Sequence, residues 1–344
     1  MAKKSSNSKI FSLEWLKSLV VTRQKRAKLL IMTMFIVIGG VFLYFAVTAP
    51  GFLTVGNATN MAQRMPADII VAVAQTMVII GAGIDLSVGA VLAFCGSLTA
   101  VSFCYWGLPV WVAIILGLVA GLSIGSVTGL IITKGRIPDF IATLGMMVTI
   151  RGVALILTGG LPVPSHVTAV KLRAYLPPAI IWLGSGKIFG IPVSLIISLA
   201  IVAIGWLVLR HTTLGRSIFA IGGNKEAAAI SGINVDLTKI KTYALSGLLS
   251  ALAGIILIGR MNSANALMSD PANLDSIAAV VIGGTDLFGG QGGVIGSLFG
   301  AGVLSVLKNV LNLHNVQDFA QRVFTGILII GVVVIDQLRR RFTR

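Results

Sequence analysis

The sequence predicts an all-α protein, a polytopic transmembrane helical bundle of about ten helices in two weakly repeated halves. Low charge, long apolar runs and a one-sided distribution of basic residues lead to this prediction. Only 11% of the 344 residues are charged, against ~25% in soluble domains, and 56% are hydrophobic. One compact soluble core cannot hide so many apolar positions, so the surplus must face lipid.

Apolar runs long enough to cross a bilayer, which takes ~20 residues, recur along the chain. They predict helices over residues 29–49, 67–83, 87–105, 109–133, 140–158, 191–209, 241–260, 274–290, 293–312 and 320–338. An even number of crossings puts both chain ends on the same side of the membrane.

The basic residues mark that side as the cytoplasm. Lys and Arg concentrate in residues 1–28, in the loops 134–139 and 210–240 and after residue 338, all on one side of the ten-helix arrangement. Cytoplasmic loops of membrane proteins carry such an excess. This placement accounts for the net charge of +16, so we expect a lipid bilayer and no nucleic acid as the partner of the basic residues.

The chain therefore divides into three segments. Residues 1–28 form a basic cytoplasmic tail, residues 29–338 form the transmembrane domain, and residues 339–344 form a second basic tail. Within the transmembrane domain, glycines recur at every fourth position, and this spacing predicts a helix face that packs closely on a neighbouring helix. These residues are Gly117, Gly121, Gly125 and Gly129.

A weak internal repeat relates the two halves. The pattern Gly-x-Asp-Leu-x-x-Gly occurs at 83–89 and again at 284–290, and each copy is followed by a lysine and an Asp-Phe pair. Transporters are commonly built from duplicated halves. The spacing differs between the two copies, which leaves both parallel and inverted halves open, together with the helix count around them.

Asp85 is the most unusual single residue, because it follows a long apolar run and precedes another. An ionised carboxylate in hydrocarbon costs several kcal/mol, so Asp85 needs polar surroundings. A broken helix that lines a translocation path would provide them; alternatively, Asp85 and Ser87 cap the following helix. The residues assigned to this path or broken helix are Gln75, Gly83, Asp85, Ser87, Gly89 and Asn262.

The loop 210–240 contains a predicted short helix. Asn224 is a suitable N-cap, Gly232 is a suitable C-cap, and the residues between them favour helix. A helix this short is not stable alone, so it must pack either on a soluble partner or on the membrane surface.

Five motifs, in order and spacing, carry a resemblance to a known family. They are GIDLSVG at 83–89, KGRIPDFIATLGMM at 134–147, RGVALILTGG at 151–160, HTTLGRSIFAIGGNKEAAAISGINV at 211–235 and LDSIAAVVIGGTDLFGG at 274–290. Over about residues 50–338 the chain resembles the permease subunits of ribose-type monosaccharide ATP-binding cassette (ABC) importers.

The resemblance implies a permease of the bacterial inner membrane that pairs with a second copy of itself or with a homologous permease. It also implies a periplasmic sugar-binding protein, and a cytoplasmic ATPase that binds the ATP and Mg, with no cofactor in this chain. The segment that would dock on the ATPase includes Gly222, Gly223, Asn224, Lys225, Glu226, Ala227, Ala228 and Gly232.

The sequence does not favour an ATPase, a hydrolase or a metalloprotein. The chain contains no phosphate-binding loop for ATP, and its Gly-x-Ser-x-Gly at 121–125 lies inside an apolar helix rather than in a strand-to-helix turn, so no catalytic residues are expected. Two cysteines and three scattered histidines predict no metal site. An ion-coupled secondary carrier and a permease for a sugar-like signal such as autoinducer-2 stay open, as does the identity of the sugar.

Overall fold

The computed structural model describes residues 51–166, 171–268, 272–317 and 319–327, together with residues 40, 43, 44, 47–49, 330, 331 and 334. The chain forms two compact units, one of residues 54–309 and one of residues 1–53 and 310–344. Both basic tails and most of the predicted helix 29–49 lie outside the described residues.

The described chain is largely helical. Its helices are α1 (Val55–Ile80), α2 (Val88–Cys104), α3 (Val110–Lys134), α4 (Asp139–Thr158), α5 (Pro178–Ser185), α6 (Val193–His211), α7 (Thr213–Gly223), α8 (Lys225–Ile230), α9 (Val235–Met261), α10 (Ala272–Ile282) and α11 (Val294–Leu313). A two-residue antiparallel hairpin, β1 (Lys187–Ile188) with β2 (Ile191–Pro192), precedes α6.

Among the described helices, six are long and apolar enough to cross a membrane: α1, α3, α4, α6, α9 and α11. The shortest of them has 19 residues, or about 28 Å, close to the ~30 Å of a hydrocarbon core. α2 and α10 are shorter apolar helices, and the 11 residues of α10 extend only about 16 Å.

α1 begins at Val55, whereas the sequence predicted a helix only from residue 67 and a loop over 50–66. That prediction was wrong because polar side chains interrupt the apolar run. These side chains are used within the fold: Asn57 exchanges two amide hydrogen bonds with Asn309, at 3.0 and 2.8 Å. The Gln63 amide donates to the carbonyl of Ser185 at 3.2 Å.

The predicted helix 274–290 is also wrong at its end. α10 stops at Ile282, and the following loop contains Gly284, Gly289 and Gly290 at positive φ, a conformation in which glycine avoids the Cβ clash. Two further helices, α5 and α7, lie in segments predicted as loops.

α9 is the central helix, and it packs against α1, α2, α3 and α5. A Cβ on Gly121 would lie 2.5 Å from the carbonyl oxygen of Gly247, and one on Gly129 would lie 2.7 Å from the Cα of Ile240. These glycines of α3 therefore bring its backbone into contact with that of α9. The other two glycines of this series are also in close contact. A Cβ on Gly125 would collide with the carbonyl oxygen of Tyr243 in α9, and one on Gly117 would collide with the side chain of Thr99 in α2.

The opposite surfaces of α3 and α4 are apolar and exposed. Ile156 of α4 is 83% exposed and Trp111 of α3 is 67% exposed. A soluble protein rarely exposes a contiguous apolar surface, whereas a lipid-facing helix must do so.

Candidate functional site

α7 and α8 connect α6 to α9, where the sequence predicted a short helix. The Thr212 side chain caps α7 by accepting a hydrogen bond from the Gly215 N–H at 3.2 Å. The Asn224 side chain caps α8 by accepting one from the Ala227 N–H at 2.9 Å. Gly232 follows α8 at φ +84°, the position where glycine commonly ends a helix. The predicted short helix and its N-cap are confirmed.

The segment 222–232, which we call the coupling segment, presents most of α8 to solvent. Lys225, Glu226 and Ala227 are exposed, and only Ala228 of α8 is buried. The Ile230 side chain is 88% exposed although it is apolar. A six-residue helix with an uncovered isoleucine offers a surface suited to a groove in another protein.

Gly222 joins the coupling segment to the transmembrane helices. A Cβ on Gly222 would collide with the carbonyl oxygen of Ile80, the last residue of α1. The same carbonyl accepts a hydrogen bond from the Gly290 N–H at 2.8 Å. A Cβ on Gly290 would in turn lie 3.0 Å from the Cα of Gly223. Three backbones therefore meet here without intervening side chains.

Gly223 differs from Gly222 in its surroundings. No heavy atom lies within 4 Å of where a Cβ on Gly223 would stand, and its φ is not in the left-handed region. A side chain thus fits at Gly223 but not at Gly222.

The chain leaves the helical conformation immediately after α1. Ala82 has φ +55°, and residues 83–87 lead to α2, so α1 and α2 are separated by a short non-helical segment. A Cβ on Gly83 would lie 2.6 Å from Asp139 Oδ2 and 2.8 Å from the Tyr243 hydroxyl. Only glycine fits this passage without displacing those groups. The non-helical residues predicted around Asp85 are present, and they connect two separate helices; whether they line a translocation path stays a prediction.

Asp85 is buried, with 3% of its surface exposed. Its Oδ1 accepts hydrogen bonds from the Ser87 N–H at 2.9 Å and the Ser87 hydroxyl at 2.6 Å. Its Oδ2 accepts one from the Ser246 hydroxyl of α9 at 2.8 Å. Three donors and the nearby N-terminus of α2 compensate for burying the carboxylate.

The side chain of Gln75 binds the backbone of Asp85. With the amide oriented to satisfy both groups, its nitrogen donates to the Asp85 carbonyl at 3.1 Å and its oxygen accepts from the Asp85 N–H at 3.3 Å. Gln75 is fully buried. The structure therefore brings Gln75, Asp85 and Ser87 together, and it adds Ser246; we call these four residues the Asp85 cluster.

The N-terminus of α2 is capped by another helix. The side chain of Ser87, at the N-cap position, makes no capping hydrogen bond: its backbone is in the helical rather than the extended region, and its hydroxyl donates to Asp85. The Gly89 N–H donates to Asn273 Oδ1 of α10 at 2.7 Å. The predicted capping by the Ser87 side chain is wrong: Asn273 accepts one N–H of the first turn, and the Asp85 carboxylate accepts the Ser87 N–H.

Asn262 lies apart from the Asp85 cluster. It is the exposed C-cap residue of α9, with φ +51°. Ser246, on the same helix, lies 16 positions earlier, which corresponds to about 24 Å along the axis. Asn262 therefore does not share a site with Asp85.

A second polar group surrounds Asp139 at the start of α4. Lys239 Nζ lies 2.8 and 2.7 Å from the two carboxylate oxygens of Asp139, and the Tyr243 hydroxyl donates to Asp139 Oδ2 at 2.8 Å. The side chains of Asp139 and Lys239 are only 16% and 15% exposed. Sequence reasoning did not assign this group. The only local signal is that Lys239 and Tyr243, four positions apart, share one face of α9.

Comparison with known proteins shows the family. The family described as branched-chain amino acid transport system / permease component matches residues 57–333. The ribose import permease of Escherichia coli strain K12 is 42% identical over 85% of this chain and 89% of its own length. The ribose import permease of Bacillus subtilis strain 168 is 41% identical over 84% of this chain and 87% of its own.

The xylose transport system permease of Escherichia coli strain K12 is 31% identical over 92% of this chain and 94% of its own length. No solved structure matches the chain. The resemblance recognised from the motifs is thereby confirmed, and the chain belongs to the family of transport-system permease components.

Proposed function

We propose that this chain is the membrane-spanning subunit of an ABC importer and translocates a monosaccharide. Its family consists of transport-system permease components, and relatives that align over most of their length are named for ribose and xylose import. A permease of this kind carries substrate and leaves ATP hydrolysis to another subunit.

The proposed partners follow from that role. A periplasmic binding protein delivers the sugar, a second copy of the chain or a homologous permease completes the pore, and a cytoplasmic ATPase binds ATP and Mg. The exposed Glu226 and Ile230 of α8 support an ATPase contact at the coupling segment.

We place the protein in the bacterial inner membrane with both termini in the cytoplasm. We count ten passages: the six long described helices, the predicted helices 29–49 and 320–338, and α2 and α10, which are shorter and cross together with the non-helical residues that flank them. Lys134 and Arg136 lie at the turn between α3 and α4, and Arg210, Arg216 and Lys225 lie between α6 and α9. These connections are cytoplasmic in this arrangement, as the positive-inside rule requires.

The observation that carries the proposal is the contact of Gly222 with the Ile80 carbonyl. It brings the end of α7, which leads through Asn224 into the exposed α8, into direct contact with the end of α1, with no flexible side chain between them. A push on α8 is therefore transmitted to the turn that follows Ile80.

That turn leads to the Asp85 cluster, which holds α1, α2 and α9 together. Asn273 connects the same region to α10. In our mechanism, nucleotide-driven movement of the ATPase displaces α8, and the break between α1 and α2 moves with it. The pore between the two copies then changes from outward-open to inward-open, and the sugar passes.

Transport in proteoliposomes tests the proposal. The permease is reconstituted with its cognate ATPase and binding protein, and uptake of labelled ribose and xylose is measured. We expect uptake that requires ATP and the binding protein. Uptake driven by an imposed ion gradient in vesicles that contain the permease alone would overturn the proposal in favour of a secondary carrier.

A further inference from the structure

A cavity of about 310 Å³ lies where α1, α9 and α11 approach one another. Its lining includes Asn60, Met61, Arg64 and Met65 of α1, Arg260 of α9 and Asn309 of α11. The volume lies at the small end of the ~300–1,000 Å³ of ligand pockets, so the cavity can hold a small group. No residue of the Asp85 cluster or of the coupling segment lines it.

The wall of this cavity carries two positive charges. Arg64 and Arg260 are both half-buried, and each guanidinium has five N–H donors. Within the described part of the chain, neither guanidinium has a salt bridge or a side-chain hydrogen bond. The two groups also repel each other. Two neighbouring cations that are partly removed from water and have no acceptor are unfavourable, so the arrangement points to an anionic ligand.

The carboxylates on the neighbouring helices are engaged elsewhere. Asp68 of α1 and Asp275 of α10 line a separate, smaller pocket together with Lys308. Lys308 is paired with Asp275, and it affects Asp68 more strongly than Arg64 or Arg260 does. The larger cavity therefore keeps a net positive charge.

Amide side chains complete the wall without adding charge. Asn309 exchanges both of its amide hydrogen bonds with Asn57, which joins α1 to α11 beside the cavity. Such a pair holds the wall in place before a ligand binds, which lowers the cost of binding. Asn60 is exposed and adds an amide donor. Two guanidinium groups and an amide in one cavity form a donor set that suits the oxygens of a phosphate group.

The position of the two arginines also suits a phosphate group at the membrane surface. α9 ends at Met261, directly after Arg260, and the proposed orientation places the end of α9 and the start of α1 on the external side. The positive-inside rule disfavours Lys and Arg there, so two arginines in one external cavity need a specific reason. Phospholipid headgroups lie at this level and provide phosphate groups.

We propose that Arg64 and Arg260 bind a phosphate group in this cavity. Each guanidinium donates hydrogen bonds to phosphate oxygens, so the ligand joins α1 to α9 near their external ends. The headgroup of a phospholipid in the outer leaflet and free phosphate share this chemistry. The inference uses the membrane orientation proposed above, but it does not depend on which substrate is transported.

Binding to the purified full chain in detergent tests the inference. The probes are phosphatidylglycerol, diacylglycerol with the same acyl chains, and inorganic phosphate, and native mass spectrometry measures how much of each stays bound. Diacylglycerol is the matched probe because it has the same tails without the phosphate-bearing headgroup. Inorganic phosphate is also added as a competitor of phosphatidylglycerol.

Two double variants test the residues. Arg64→Gln combined with Arg260→Gln removes both guanidinium groups from the cavity. Lys171→Gln combined with Arg173→Gln is the matched control, because it removes two exposed positive charges of an external loop that do not line the cavity. Unfolding temperatures show whether the variants are folded. The comparison of phosphatidylglycerol with diacylglycerol on the wild-type chain needs no substitution, so it tests the inference even where a variant does not fold.

We expect the wild-type chain to bind phosphatidylglycerol at least about tenfold more tightly than diacylglycerol, and the Arg64→Gln/Arg260→Gln variant to lose this difference. The control variant should bind like the wild-type chain. Competition by millimolar inorganic phosphate would assign the site to free phosphate, and binding of the lipid without such competition would assign it to the headgroup.

Equal binding of phosphatidylglycerol and diacylglycerol, together with no binding of inorganic phosphate, would overturn the inference. An equal loss of binding in the two double variants would also overturn it, because net charge alone would then explain the binding. If neither phosphate compound binds and Arg64→Gln/Arg260→Gln instead weakens docking of the sugar-binding protein, a carboxylate of that protein is the counter-ion and the inference is wrong.

Discussion

A Cβ atom on Gly222 would occupy the space taken by the carbonyl oxygen of Ile80. This close approach makes Gly222 the most constrained residue of the coupling segment, because the oxygen it meets also accepts the Gly290 N–H. A side chain at this position must push α7 away from the end of α1.

Gly222→Ala is expected to reduce transport strongly. Overpacking of this kind costs about 1–3 kcal/mol, and here the strain falls on the contact proposed to transmit movement. Sugar uptake and ATP hydrolysis are measured in the same proteoliposomes, and the ratio of uptake to hydrolysis should fall. Gly223→Ala is the control, since a methyl group there has open space, and it should leave the ratio unchanged. Equal ratios in both variants would contradict the role of the contact.

Ser246→Ala should destabilise the protein. The change removes one of three donors to the buried Asp85 side chain, and leaving a buried acceptor without its partner costs about 1–3 kcal/mol. Thermal unfolding of the detergent-solubilised protein measures the effect. Ser250→Ala, one turn later on α9, is the control, because that buried hydroxyl has no partner among the described residues. A loss of similar size in both variants would argue against the Asp85 cluster.

Lys239→Met should lower the unfolding temperature more than Lys134→Met, which breaks an exposed ion pair. It leaves the largely buried Asp139 carboxylate without its cation, and removing one partner of a buried pair costs about 3–5 kcal/mol. Lys134→Met breaks the ion pair with Asp236. The side chain of Lys134 is 69% exposed and that of Asp236 is 47% exposed, and such exposed pairs contribute only ~0–1 kcal/mol. Unfolding temperatures compare the two variants, and similar values would show that Asp139 does not depend on Lys239.

The membrane class and several helices could be predicted from the sequence because they depend on local pattern. Apolar length predicts α3, α4 and α6 to within a few residues, and Asn224 predicts the start of α8. The start of α1 was missed because Asn57 and other polar residues resemble a loop until their distant partners are known.

The candidate site could be predicted less completely than the helices, because it depends on contacts that no local pattern reveals. Asp85 is unusual in the sequence itself, but its partner Ser246 lies 161 positions away. Asn273 reaches Gly89 across 184 positions. Gly222 and Gly223 look equivalent in sequence, and only the packing of Ile80 and Gly290 distinguishes them.

Photo-cross-linking from α8 tests most directly whether this chain is driven by contact with another protein. A photoactivatable side chain replaces Ile230, which is 88% exposed, and in a control it replaces Phe189, which is 101% exposed in the turn between β1 and β2. In the assembled transporter we expect position 230 to cross-link to the ATPase and position 189 not to do so. A complex that transports sugar but shows no ATPase cross-link from position 230, or shows one from position 189 instead, would contradict the account.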